Sequence, residues 1–189
     1  MSQLSLDDGL ALLGIARRAI SSAVIENCLP DLPPWPATLS VIRGTFVTLT
    51  RGGKLRGCVG RVEDPGPLAE EVARAAINAA LHDPRFPPVA AGEVDTLEIE
   101  ISVLSSLESI LADQIIAGHH GLMVVRPPFR GLLLPQVAAG RQWSGQQFLE
   151  ETCAKAGLPR DAWRDPATQV SAFTAEIFSE AALGSISGT

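Results

Sequence analysis

The sequence is poor in the residues that build metal sites and disulfide frameworks. Its 189 residues hold three cysteines and three histidines. Cys28, Cys58 and Cys153 form an odd, widely spaced set with no Cys-x-x-Cys pair. That argues against a zinc site and against a disulfide scaffold, and it fits a reducing compartment. Positive charge is also short: 15 Lys and Arg stand against 21 Asp and Glu, a net charge of −6. With no aromatic-basic motif, a nucleic-acid surface or an anionic-membrane surface is not expected. No apolar run approaches the length of a membrane span. The first nine residues carry neither the basic nor the apolar region of a signal peptide. Internal repeats, low-complexity tracts and charge runs are missing as well. These absences leave a cytoplasmic globular protein as the expectation, with no cofactor, no metal, no nucleic acid and no membrane called for. What is present is an ordinary globular balance, 46% hydrophobic and 19% charged. The length suffices for one domain with a sizeable core, or for two tightly associated subdomains.

One stretch carries the chemistry: Lys54-Leu55-Arg56-Gly57-Cys58-Val59-Gly60-Arg61. It follows Arg51-Gly52-Gly53-Lys54, where two glycines can both take positive φ and close a two-residue hairpin. Before the hairpin, residues 40–49 are rich in β-branched side chains and read as a strand. After it, alternation places Leu55, Gly57 and Val59 on one face of a strand and Arg56, Cys58 and Gly60 on the other. Glycine inside a strand marks a bulge or a close approach, and open space around Cys58 is expected. Lys54, Arg56 and Arg61 would lower a thiol pKa if they sat near it, which is what makes cysteine a nucleophile at neutral pH. Equally, free cysteine is among the most buried residue types, and Cys58 reads as a small packing residue too.

The rest of the chain is legible in outline. Ser5, with Asp8 three positions on, opens a helix over residues 6–27, with Arg17 and Arg18 snorkelling at its edge. Residues 30–36 hold four prolines and Trp35 and form a rigid connector. Residues 63–67 are a loop into a helix with Leu68, Val72, Ala75, Ala76 and Ala79 on its apolar stripe and Glu70 and Glu71 in its first turn. Asp83-Pro84-Arg85 ends that helix, and a surface Asp83–Arg85 ion pair is expected to fix the loop. Leu97, Ile99, Ile101 and Val103 alternate with Glu98, Glu100 and Ser102, a half-buried strand with its carboxylates facing solvent. Residues 110–116 read as either helix or strand. Gly118-His119-His120-Gly121 turns into a strand over 122–125. Pro127-Pro128 turns again into 130–135, a run apolar enough to be buried on both faces. Ser144 with Gln147 opens a helix that Gly157 closes. A helical turn follows around Trp163, then one strand over 169–179 with Phe173 and Ile177 on one face and Phe178 on the other. Residues 182–189 are expected to fray.

Six blocks occur in order: Leu55-Arg56-Gly57-Cys58-Val59-Gly60; Asp83-Pro84-Arg85-Phe86-Pro87-Pro88-Val89; residues 97–104; Gly118-His119-His120-Gly121-Leu122; Gly131-Leu132-Leu133-Leu134-Pro135-Gln136-Val137; and Phe148-Leu149 with residues 153–159 and Trp163. Together they resemble the AMMECR domain family, over about residues 5–180. The resemblance implies an α/β fold of the α+β type: a single AMMECR domain over 1–189 made of two closely packed subdomains, with largely antiparallel sheets flanked by helices. It implies the AmmeMemoRadiSam association, with a Memo-like protein related to extradiol dioxygenases and a radical SAM protein as partners. It implies no established activity. It favours function at the polar members of the blocks, Arg56, Cys58, Asp83, Arg85, His120 and Gln136, and none at His82 or His119.

Two functions fit. In the first, the protein is an enzyme, or an accessory, acting on a small molecule or a modified residue. Cys58 is then the nucleophile or thiol carrier, with His120 as its base. Arg56 and Arg85 hold a small anionic group or lower the thiol pKa, Asp83 belongs to the same substrate-binding set, and Gln136 orients substrate. In the second, the protein is a non-catalytic module that docks onto the two partners, a reading that an exposed apolar patch around Trp35 or Trp143 would support.

Overall fold

The computed structural model describes residues 3–62 and 66–184. Residues 63–65 of the expected loop and 185–189 of the expected tail lie outside the described residues. The chain divides into two units: Met1–Leu104 with Glu176–Thr189, and Ser105–Ala175 inserted between them.

In the first unit, α1 (Leu6–Ser21) runs on into a π-helical turn at Ser22–Glu26. Ser5 and Asp8 close the expected capping box: the Ser5 hydroxyl accepts the Asp8 N–H at 3.1 Å and the Asp8 carboxylate accepts the Ser5 N–H at 2.9 Å. Arg17 does not snorkel. Its guanidinium donates to the carbonyls of Val94 and Leu97 at 2.8 Å and to Glu180 at 2.5 Å, tying the helix to the sheet. β1 (Thr45–Arg51) and β2 (Lys54–Arg61) join through Gly52 and Gly53, at φ 55° and 73°. β3 (Glu98–Leu104) pairs antiparallel with β1, and the four-stranded order is β2-β1-β3-β8, with β8 at Ala175–Ser179. α2 (Leu68–Leu81) packs on α1 and across β1 and β2, on one face of the sheet. Val47, Leu49, Ile99 and Ile101 meet Leu12, Ile15, Ile20, Val72 and Ala76 there, all fully buried. Strand alternation turns Phe46, Thr48, Glu100 and Ser102 to the other face.

The glycines of β2 do not leave open space around Cys58. A Cβ on Gly57 would stand 2.0 Å from the Ala79 carbonyl oxygen of α2, and one on Gly60 would stand 2.1 Å from the Thr45 carbonyl oxygen. Both positions are empty of side chain because backbone comes that close.

The second unit is built on the order β4-β7-β5-β6: β4 (Glu108–Ser109), β5 (Gly121–Arg126), β6 (Phe129–Leu133) and β7 (Gln169–Phe173). The ambiguous 110–116 stretch is a short 3-10 turn at Ala112–Gln114. β6 is an edge strand with Phe129 and Arg130 exposed, not a strand buried on both faces. After it comes α3 (Pro135–Arg141), unforeseen in the apolar run, with proline at its first position. α4 (Gly145–Lys155) has the expected Ser144–Gln147 capping box and packs over β5 and β6. Phe148, Leu149 and Cys153 are fully buried against Leu122 and Val124.

The expected single strand over 169–179 is two. Thr174 interrupts it, β7 joins the second sheet and β8 the first. Phe173 is buried over Gly121 and Phe178 over Gly9, where in each case a Cβ would sit within 2.4 Å of the ring. Ile177, 47% exposed, belongs to neither core.

Two glycine substitutions separate close approach from chain entropy. Gly57→Ala is expected to lower thermal stability by about 1–3 kcal/mol or more, since backbone on both sides must move. Gly14→Ala, in the exposed face of α1 with nothing within 4 Å of the added carbon, is expected to raise it by about 0.5–1 kcal/mol. Calorimetric unfolding of both variants checks the pair.

Candidate functional site

β2 lies at the edge of its sheet, so half of its backbone groups point away from β1. At Cys58 those groups are met by side chains. The Cys58 N–H donates to the Asp83 carboxylate at 2.8 Å, and the Cys58 carbonyl accepts from the Arg85 guanidinium at 3.2 Å. Asp83 also accepts the Arg85 backbone N–H at 3.1 Å and its guanidinium N–H groups at 2.9 and 2.6 Å. The ion pair is therefore not the expected surface contact: Asp83 is only 4% exposed. The Arg85 guanidinium beside it, with the N–H groups of Cys58 and Arg85, holds its carboxyl well below the usual carboxylate range despite burial.

This clamp leaves the Cys58 side chain half-buried on the sheet face opposite the helices. Thr48 stands across from it on β1 and Glu100 across from Thr48 on β3. The Thr48 hydroxyl donates to the Cys58 sulfur at 3.3 Å. With Cys58's backbone bonds directed outward, Thr48 and Cys58 form a non-hydrogen-bonded pair, the arrangement that brings facing side chains closest.

The arginines near Cys58 in sequence are engaged elsewhere. The β1–β2 register shifts between Leu49 and Thr50, leaving Arg56 as the extra residue of a bulge. The bulge moves Leu55 to the Thr50 side, so the simple alternation expected for 55–60 fails at Arg56. The Arg56 guanidinium donates to both oxygens of Glu93, at 3.1 and 3.0 Å, and to the carbonyls of Pro87 and Pro88 at 2.8 and 3.3 Å. Arg56, with the Ala90 N–H, draws the Glu93 carboxyl down to about 2. Arg61 faces Glu71 of α2 at 3.8 Å, on the helix side of the sheet. Of the expected anion-binding pair, Arg56 is thus a structural tie. Arg85 keeps a side chain 54% exposed, lying over the Phe86 ring at 5.5 Å.

His120 and Gln136 belong to the second unit. Gln136 sits half-buried in the first turn of α3. His120 Nδ1 accepts the Ile116 N–H at 3.1 Å. A backbone N–H can only donate, so neutral His120 carries its proton on Nε2 and offers a donor outward. That geometry disfavours the expected general base, whose free lone pair is already engaged. Burial first, and His119 second, push the His120 pKa down and favour the neutral ring. Trp35 and Trp143 are half-buried and pack on their respective cores. No helix among the described residues is long and apolar enough to cross a membrane.

The AMMECR1 family model matches residues 13–178. A protein of Methanothermobacter thermautotrophicus is 44% identical over 94% of this chain and 96% of its own length. Protein TK0174 of Thermococcus kodakarensis is 42% identical over 91% of this chain and 90% of its own. The crystal structure of uncharacterized protein PH0010 from Pyrococcus horikoshii is similar with a TM-score of 0.88 and 42% identity, covering 93% of each chain.

The clamp is testable by pH. Asp83 titrates lower in the folded chain than in the unfolded one. Its contribution is therefore full above the free-aspartate pKa of about 3.9, and it is lost as the pH falls through the lowered native value. Asp83→Asn is expected to cost about 1–3 kcal/mol at pH 7 and to flatten the loss of stability below pH 4. Denaturant unfolding of both proteins from pH 7 to 2.5 measures it.

Proposed function

The chain belongs to the AMMECR1 family, and from that premise we propose that it is a small-molecule or protein-modification enzyme, or an accessory to one, that works through Cys58. It acts in the cytoplasm beside a Memo-like protein and a radical SAM protein. The observation that carries this reading is the pinning of Cys58. Asp83 and Arg85 hold its N–H and C=O on one side, and the Thr48 hydroxyl addresses its sulfur on the other. A packing cysteine needs no such fixing, whereas a nucleophile gains from a set position because less orientation has to be achieved at reaction.

The roles follow from the contacts. Cys58 is the nucleophile or thiol carrier. Thr48 donates to the sulfur, as it would to a thiolate. Asp83 and Arg56 are positioning residues, since their bonds run to backbone and to other charges within the fold. The exposed side of the Arg85 guanidinium can meet an anionic group on the substrate. Gln136 and His120 belong to the second unit and are assigned no role beside Cys58.

The test is alkylation of the native protein by iodoacetamide at pH 7, in a chain carrying Cys28→Ser and Cys153→Ser. Cys58 is expected to react at a rate at least that of a free small thiol, and Asp83→Asn is expected to slow it several-fold. A Cys58 that stays inert until the chain unfolds is a packing residue, and the thiol reading is then wrong.

A further inference from the structure

The helix-facing side of the second sheet changes character toward one end. Val170 and Ala172 on β7 pair with Val124 and Leu122 on β5 and form its apolar part. Beyond them, polar residues take over on three adjacent strands: Glu108 opposite Ala172 on β4, Thr174 just past β7, and His120 just before β5. The 3-10 turn of Ala112–Gln114 brings Gln114 to the same place. These residues, with Ile110 and Phe173 as apolar lining, surround a pocket of about 390 Å³. That is the size of a small-metabolite site.

The pocket's free chemistry can be read from what each group already does. Gln114 Oε1 accepts the Leu111 N–H at 3.2 Å, which leaves its amide NH2 as a donor. His120 Nδ1 is engaged with Ile116, which leaves Nε2–H as a donor. Among the described residues Glu108 is the one charged residue lining the pocket, and it is an exposed carboxylate. One anion therefore faces two neutral N–H donors across a partly apolar floor, with Ser105, Ser106, Ser109 and Thr174 completing the polar lining. Neighbouring strands stand about 4.8 Å apart and residues rise about 3.3 Å along a strand; Glu108 is level with Leu122 two strands across and His120 lies two residues further on, so the two are about 12 Å apart at the backbone. Once the side chains extend, the gap suits a ligand whose cation and acceptor lie a few ångströms from each other.

The geometry points to an α-amino compound as the ligand of this pocket: an ammonium on the Glu108 carboxylate, with the neighbouring carbonyl or carboxylate oxygen on His120 Nε2–H and the Gln114 amide. Free amino acids and peptide amino termini share that chemistry. A simple anion does not fit, because Glu108 would repel it, and a simple amine leaves both donors unused. The site uses none of the groups placed around Cys58 and stands or falls separately from the thiol.

Glycinamide is the probe, titrated into the intact protein while the His120 ring resonances are followed by NMR and heat by calorimetry. Saturable binding that moves the His120 signals is expected. It should weaken about tenfold or more for N-acetylglycinamide, which lacks the cation, and for glycinamide on Glu108→Gln. Glycine and glycylglycinamide are then compared, and whichever binds more tightly tells a free amino acid from a peptide terminus. Either order keeps the proposal. No saturation with any of the three, or equal binding by the acetylated probe or by Glu108→Gln, overturns it.

Discussion

The carboxylate of Asp83 is the contact on which the architecture around Cys58 depends. An edge strand presents a donor and an acceptor to whatever lies outside it. Asp83 supplies the acceptor and Arg85 the donor, so the pair stands in for the strand that is absent beside β2. A charge this buried is costly unless its lone pairs are filled. Four N–H groups fill them, one from Cys58 and three from Arg85. The same contact fastens the loop that follows α2. From there the chain passes to the Pro87 and Pro88 carbonyls and to Glu93, which Arg56 collects from the bulge in β2. The two arginines thus stitch one strand edge to one loop, at successive points.

Close backbone approach is the companion constraint. β2 can lie against α2 only because Gly57 presents no side chain to Ala79. Gly57 and Val59 face the helices, so Cys58 between them must face away. The direction of the thiol follows from its glycine neighbours and from Asp83, which together fix both the face it takes and the height at which it sits. Reactivity at such a position would come from placement more than from surrounding charge, since the nearby guanidiniums of Arg56 and Arg61 face carboxylates.

Local signals carried much of this in the sequence. The Ser5–Asp8 and Ser144–Gln147 boxes, the Gly52-Gly53 turn and the alternation from Leu97 to Val103 each involve residues within a few positions of one another, where physical rules are strongest. What could not be read was long-range. Nothing within 169–179 announces that Thr174 hands the chain from one sheet to another. Arg56 looked like a ligand residue because its partner Glu93 lies 37 positions on. The Asp83–Arg85 pair was visible, but its burial and its grip on Cys58 across 25 residues were not. His120 stands out in sequence as a polar member of a turn, but which of its ring nitrogens the Ile116 N–H occupies is a matter of geometry alone. α3 was hidden because Pro135 was read as the end of a strand when it is the first residue of a helix.

Amide hydrogen exchange at Cys58 tests the central claim most directly. The Cys58 N–H points away from β1, so in a bare edge strand it would exchange as fast as a surface amide. If Asp83 holds it, the Cys58 amide is protected in the native protein and loses that protection in Asp83→Ala, which has no acceptor, while the inward-facing amides of β1 and β3 keep theirs. A Cys58 amide that exchanges freely in the unmodified chain, or equally slowly in both proteins, would contradict the account.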